Sequence, residues 1–158
     1  GVIALPAFGD VYVAEKGKGA FRNSEPIRVS DGIELKNALV AYGIDGHQEN
    51  PLLTRDEVAT LGDIILAVRN VRTSNSAFDF AAVADGRYGL VMNHTSKIWD
   101  NVAPHSIIEE AGGIYTDFYG NTMDYADVLL QVNRNYTVCA GAPALHANMQ
   151  QVIHTKDS

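Results

Sequence analysis

The chain has 158 residues, 46% of them hydrophobic and 20% charged, the balance of an ordinary globular domain long enough to bury a sizeable core. Its 19 acidic against 12 basic residues, a formal net charge of −7, exclude nucleic acid and anionic membrane as default partners, because no basic stripe is available to neutralise phosphates. No apolar run approaches the roughly 18 residues of a membrane span, and the lone Cys139, in the buried-strand setting "YTVCAG", can form no internal disulfide, so a cytoplasmic setting is expected.

Gly1 opens directly into a strand pattern with no cap or turn before it, so the chain reads as the back part of something longer. Residues 2–8 and 10–15 read as two strands joined near Phe8-Gly9-Asp10, a hairpin with glycine at the turn. "KGKG" (Lys16–Gly19) is a turn, and Glu25–Ser30 is a third short extended piece in which Pro26 favours a sheet edge. An apolar strand around Ala38–Tyr42 follows. In "TRDEVATLGDIILAVRNV" a helix is expected: Thr54 and Glu57 stand at capping-box spacing, and Val58, Leu61, Ile64, Ile65 and Val68 recur at helical intervals. A short strand near Val71-Arg72 precedes a helix in "SAFDFAAVADG" closed by Gly86, and "YGLVMN" is a strand. In "KIWDNVAPHSIIEEAGG" (Lys97–Gly113) Asp100 is the expected N-cap of a helix, with Pro104 in its first turn, Ile107, Ile108 and Ala111 on its apolar face and Gly112-Gly113 at its end. "GIYTDF" is a strand, "YGN" a turn, "YTVCAG" a strand, and "PALHANMQQVI" a helix with Pro143 at its first position. Strands alternating with helices predict a layered α/β domain, and helical crossovers force part of its sheet to be parallel. The best internal boundary lies near Ser30-Asp31-Gly32.

In open α/β sheets ligands settle beyond the carboxyl ends of strands, against helix N-termini. Three helix starts carry polar residues directly after a strand: Thr73–Ser76, Trp99-Asp100 and Gly141–Pro143, of which the first two could converge. A carboxylate near hydroxyl and amide groups suits a hard oxygen-binding cation with a polyol or phosphate ligand; the alternative is two capped helices. Other features point less far. "YGIDGH" fits a surface turn, and the five histidines show no metal-ligand spacing. His105 fits a packed or half-exposed helix position. Glu109 and Glu110, being adjacent, point in different directions. Cys139 fits an inert core thiol, and the sequons at Asn93 and Asn135 carry no expectation of a glycan. No Gly-x-Ser-x-Gly elbow is present.

The stretch "WDNVAPHSIIEEAGG" resembles the Trp-Asp … Glu-Ala-Gly-Gly signature of the inositol monophosphatase family. "GVIALPAFGDVYVAEKGKGAF" is similar to its Gly-Val-Val … Tyr-x-Ala-x-x-Gly-x-Gly-Ala-Phe segment, and "AFDFAAVADGR" to its Ala-x-Asp-x-Ala-x-Val-Ala-x-Gly-Arg helix. The resemblance runs through essentially the whole chain and places it as a C-terminal portion. It implies an α/β/α layered domain with mixed sheet over residues 31–158, preceded by a β-hairpin over residues 1–30 that belongs to an N-terminal subdomain. It further implies a cytoplasmic, homodimeric, Mg²⁺-dependent hydrolase of small phosphate monoesters, inositol phosphate or a related sugar phosphate, acting through metal-activated water. Asp100 matches the family's catalytic metal ligand. Ser74, Asn75 and Ser76 match its substrate-contacting Gly-Thr/Ser-Ala turn, and Asn93 falls where an inositol-specific member carries Glu. Ser74 thus replaces a glycine and Asn93 a charged acceptor. The family's Gly-Glu-Glu and Asp-Pro-Ile-Asp-Gly-Thr segments, which supply most metal ligands, do not occur, so the chain as given is expected to be inactive alone. The reading from another class is a non-catalytic α/β module that binds a polyol or a protein partner.

Overall fold

In the computed structural model, which describes residues 1–127, 129–130 and 132–155, alternation builds the first sheet. In β1 (Val2–Leu5) and β2 (Asp10–Glu15) every second side chain is buried, so Ile3, Leu5, Tyr12 and Ala14 face inward while Val2, Val11 and Val13 face out. The first strand stops at Leu5 rather than Phe8. Pro6 opens a 3-10 turn that closes when Gly9, at φ 67°, donates its N–H to the Pro6 carbonyl. β3 (Gly19–Arg22) and β4 (Glu25–Ile27) extend the expected hairpin into a four-stranded antiparallel meander, with β4 and its Pro26 at the edge. No alternation marks β3 in the sequence; it follows the "KGKG" turn directly and is held by pairing with β2, Ala20 opposite Ala14 and Phe21 opposite Val13.

The second sheet is mixed. β5 (Leu39–Gly43), β6 (Asn70–Arg72), β7 (Leu90–Ser96), β8 (Ile114–Thr116) and β9 (Tyr136–Gly141) lie in the order β6-β5-β7-β9-β8. β5 is parallel to both neighbours, whereas β9 is antiparallel to β7 and β8. Helices α1 (Pro51–Ala67), α2 (Ala77–Ala84), α3 (Ile98–Glu110) and α4 (Pro143–His154) supply the layers. The chain steps outward from β5 to β6 through α1 and back across to β7 through α2. The right-handed rule for parallel crossovers therefore puts these helices on opposite faces. Accordingly α2 and α3 fill the space between the two sheets, and α1 and α4 pack together on the far face.

Two local expectations are corrected. α1 begins at Pro51, so Thr54 and Glu57 form no capping box; Thr54 Oγ1 and the Glu57 carboxylate instead accept the N–H groups of His47 and Asp45 in the preceding loop. The buried line of α1 runs through Glu57 and Ile64 to the C-cap Val68, while Val58 and Ile65 are each 52% exposed. Burial of Glu57 is sustained by that Asp45 bond and by His47 Nε2 at 2.9 Å. In α3 the N-cap is Lys97, and Asp100 occupies the third helical position, where its Oδ2 accepts the Lys97 N–H at 2.8 Å. Pro104 consequently lies inside the helix, removing the N–H that would have bonded the Asp100 carbonyl.

Candidate functional site

The N-termini of α2 and α3 follow the carboxyl ends of β6 and β7 and open on one pocket of about 350 Å³. Asn75, Ser76 and Ala77 line it from α2, Trp99, Asp100, Ala103 and Pro104 from α3, and Val2, Ile3 and Ala4 from β1. Of the expected site residues, the structure thus brings Asn75, Ser76 and Asp100 together. Unbonded N–H groups and aligned peptide dipoles at both helix starts favour negative charge there. Asp100 is the one carboxylate of the lining. Its Oδ2 is engaged by Lys97 N–H, and its Oδ1 has no hydrogen bond among the described residues. The neighbouring cation does not neutralise it: Lys97 Nζ is turned to the Asn133 carbonyl at 2.9 Å and to Asn135 Oδ1 at 2.6 Å.

Ser74 and Asn93 lie behind the lining. Ser74 Oγ donates to Asp79 Oδ1 at 2.7 Å, and both N–H and Oγ of Ser76 donate to Asp79 Oδ2 at 2.9 Å. Asp79 is 1% exposed and is the residue that shapes this turn, a role sequence reasoning missed although the Ser-x-x-Asp spacing of Ser76 and Asp79 is a capping-box signal. Asn93 is 1% exposed and reaches the pocket only through Asn75, to whose Oδ1 its Nδ2 donates at 3.3 Å. Asn75 Nδ2 in turn donates to the Thr95 carbonyl.

Behind Asp100, Asn101 is fully buried and bonded on every side. Its Nδ2 donates to Ser96 Oγ and to the Lys97 carbonyl, and its Oδ1 accepts from the Tyr115 hydroxyl. Burial first, then Tyr125 and Asp100, push the Tyr115 pKa well above its ordinary value, so that hydroxyl stays a donor. The remaining candidates are structural. His105 stacks on Tyr115 at 4.5 Å and bonds the Tyr125 hydroxyl. Glu109 pairs with His105, while Glu110 points away to accept Gly17 and Gly19 N–H at 2.7 and 2.8 Å. Cys139 is buried, its thiol pushed up to about 12 by desolvation. Gly141–Pro143 lies away from the pocket lining, and "YGIDGH" is pinned to α1 through His47 and Asp45.

Helix starts and a carboxylate meeting beyond the ends of parallel strands define the ligand-binding corner of an α/β domain. The family model described as the inositol monophosphatase family matches residues 1–156, and the chain belongs to that family. It is 36% identical over 120 residues to a putative Nus factor SuhB of Neisseria meningitidis, an alignment covering 75% of this chain and 45% of that protein. It is 31% identical over 153 residues to a fructose-1,6-bisphosphatase/inositol-1-monophosphatase of Aquifex aeolicus, covering 96% and 53%. The solved inositol monophosphatase of Anabaena superposes with a TM-score of 0.83 at 29% identity, covering 98% of this chain and 57% of that one. The chain spans about half the length of the curated relatives it matches.

Proposed function

We propose that the chain forms the substrate-facing part of a metal-dependent phosphate monoester hydrolase acting on inositol phosphate or a related small sugar phosphate. The observation that carries this reading is the convergence of the α2 and α3 N-termini with the Asp100 carboxylate on one pocket. The helix ends attract the phosphate, Asn75 offers a carboxamide to a sugar hydroxyl, and Trp99 forms part of the pocket wall. Among the described residues no group of three or more metal-binding side chains occurs, so Asp100 fits as one ligand, the others coming from a complementary segment. Mg²⁺ held there supplies Lewis-acid activation of water and of the phosphoryl group.

On the same reading residues 1–30 are the last strands of a larger N-terminal sheet and residues 31–158 the C-terminal subdomain. The free edge of β1 and the outward Val2, Val11 and Val13 support this division. The apolar outer side of α1, with Leu66 88% exposed, supports a homodimer, and the acidic charge and buried thiol support a cytoplasmic setting. The second reading, a non-catalytic module that binds a protein partner, is favoured by the identity to a putative Nus factor.

Phosphate release from myo-inositol 1-phosphate and fructose 1,6-bisphosphate decides between them. It is measured with Mg²⁺ for the chain alone and after the N-terminal half of a relative is supplied in trans. Turnover is expected only in the second case and is lost in Asp100→Asn. No turnover with the complement, or turnover indifferent to Asp100→Asn, overturns the reading.

A further inference from the structure

Gly43 ends β5 directly beside Asn93 of β7, its partner in the parallel register. A Cβ at Gly43 would lie 2.9 Å from Asn75 Cβ, 3.0 Å from Asn75 Cγ and 3.2 Å from Asn93 Cβ. Close approach, not backbone conformation, therefore makes glycine the residue that fits here. The space it leaves is occupied by the Asn75 side chain, which bridges Asn93 and the Thr95 carbonyl.

That bridge has one consistent orientation. A carbonyl only accepts, so the Thr95 oxygen requires the Asn75 amide nitrogen, which turns Asn75 Oδ1 toward Asn93. Asn93 must then present its own nitrogen, and its Oδ1 is left buried with no hydrogen-bond partner among the described residues. Reversing Asn93 would set two acceptors face to face. The orphaned oxygen is thus the cost of holding Asn75 in a single orientation, an arrangement that packing alone does not call for.

We infer that Gly43 and Asn93 are positioning residues that lock the Asn75 carboxamide against the Thr95 carbonyl, so that Asn75 reads the polyol part of a substrate while the helix ends meet its phosphate. The inference rests on the phosphatase reading of the pocket, because it takes Asn75 as the group that meets a sugar hydroxyl. Asn75 lines the pocket whereas Gly43 and Asn93 do not, so both act through it.

The test is a binding cycle on the 158-residue chain, with myo-inositol 1-phosphate and inorganic phosphate as probes and the Asn75 side-chain amide as an NMR reporter. Gly43→Ala and the uncharged, similarly sized Asn93→Leu are each expected to weaken myo-inositol 1-phosphate roughly tenfold, the scale of one lost hydrogen bond, and to leave inorganic phosphate unchanged. Gly43→Ala is expected to have no further effect in an Asn75→Ala background, a non-additivity that a merely structural glycine would not show. Equal weakening in both backgrounds, or equal weakening of both probes, overturns the inference. If the wild-type chain binds the ester no better than phosphate, the polyol-phosphate reading of the pocket falls instead. The lock is then judged on hydrogen exchange of the Asn75 amide: faster exchange in Gly43→Ala supports it and an unchanged rate overturns it.

Discussion

Replacing Asn101 with Leu keeps the size of the side chain and removes the buried hydrogen bonds that Asn101 makes at the start of α3. Three bonds are lost: to Ser96 Oγ at 2.9 Å, to the Lys97 carbonyl at 2.6 Å and from the Tyr115 hydroxyl at 2.8 Å. They do not weigh equally. Ser96 Oγ keeps its donation to the Tyr136 carbonyl, so it remains partnered. Tyr115 is 4% exposed, and its orphaned hydroxyl costs about 1–3 kcal/mol of uncompensated desolvation. The Lys97 carbonyl loses one bond in a part-buried setting, about 0.5–1.5 kcal/mol. Together the loss is roughly 1.5–4.5 kcal/mol, which lowers the melting temperature of a domain this size by about 3–18 °C. Urea unfolding followed by far-UV circular dichroism measures it, with Asn101→Asp as the companion that keeps the acceptor for Tyr115 but buries a charge. A change below about 0.5 kcal/mol in Asn101→Leu would mean that the network does not hold α3 in place, and the account of how Asp100 is presented would fail.

The register of α1 separates Ile64 from its neighbour: Ile64→Ala, at a fully buried site, is expected to cost about 2–5 kcal/mol, and Ile65→Ala, half exposed, less than about 1 kcal/mol, both read from urea midpoints. The Glu110 carboxyl is held below the usual carboxylate range by the Gly17 and then the Gly19 N–H. Its contribution to stability is therefore complete above the unfolded-state value near ~4.3 and lost as pH falls through the lower folded-state value, so Glu110→Gln should flatten the acid limb of a stability-against-pH curve while lowering stability at neutral pH. Asp100→Asn should leave the helix signal and melting temperature nearly unchanged, because the carboxamide oxygen can still accept the Lys97 N–H; a large loss of helix would assign Asp100 a structural role instead.

Much of the architecture is legible where structure is local. The period-two burial of Ile3, Leu5, Tyr12 and Ala14, the Pro143 start of α4 and the alternation that yields a mixed sheet all follow from the chain's own pattern. What fails does so for identifiable reasons. An N-cap carboxylate serves the N–H groups of the second and third helical residues, whereas one three positions into the helix reaches back to the N-cap N–H; both place an acidic residue just before the same apolar run, so the residue pattern does not tell Asp100 from Lys97 as the cap. On α1 two apolar lines run along the helix, and which is buried depends on α4 and on the loop that hydrogen-bonds Glu57, neither of which the helix's own sequence contains. The pairing of Asn75 and Ser76 with Asp100 was readable as a possibility from helix starts, but the sheet order that brings α2 beside α3 is non-local. The concealment of Asn93 behind Asn75 depends on a missing Cβ at Gly43, and the glycine's place in the register emerges only once β5 and β7 pair.

The Glu110 carboxylate closes the turn between β2 and β3 from 93 and 91 residues away. A hairpin turn is ordinarily an early, self-sufficient event, formed in microseconds from adjacent residues. Here two of its amides find their acceptor on α3, so the hydrogen bonding of the turn is completed by a long-range contact although its strands are near neighbours. Deuterium exchange at Gly19, whose bond to Glu110 is part-buried, is expected to follow the parting of the first sheet from α3, and a rate unchanged in Glu110→Gln would refute this. One glycine amide thus gives a site-specific gauge of how firmly the two halves of the chain hold together.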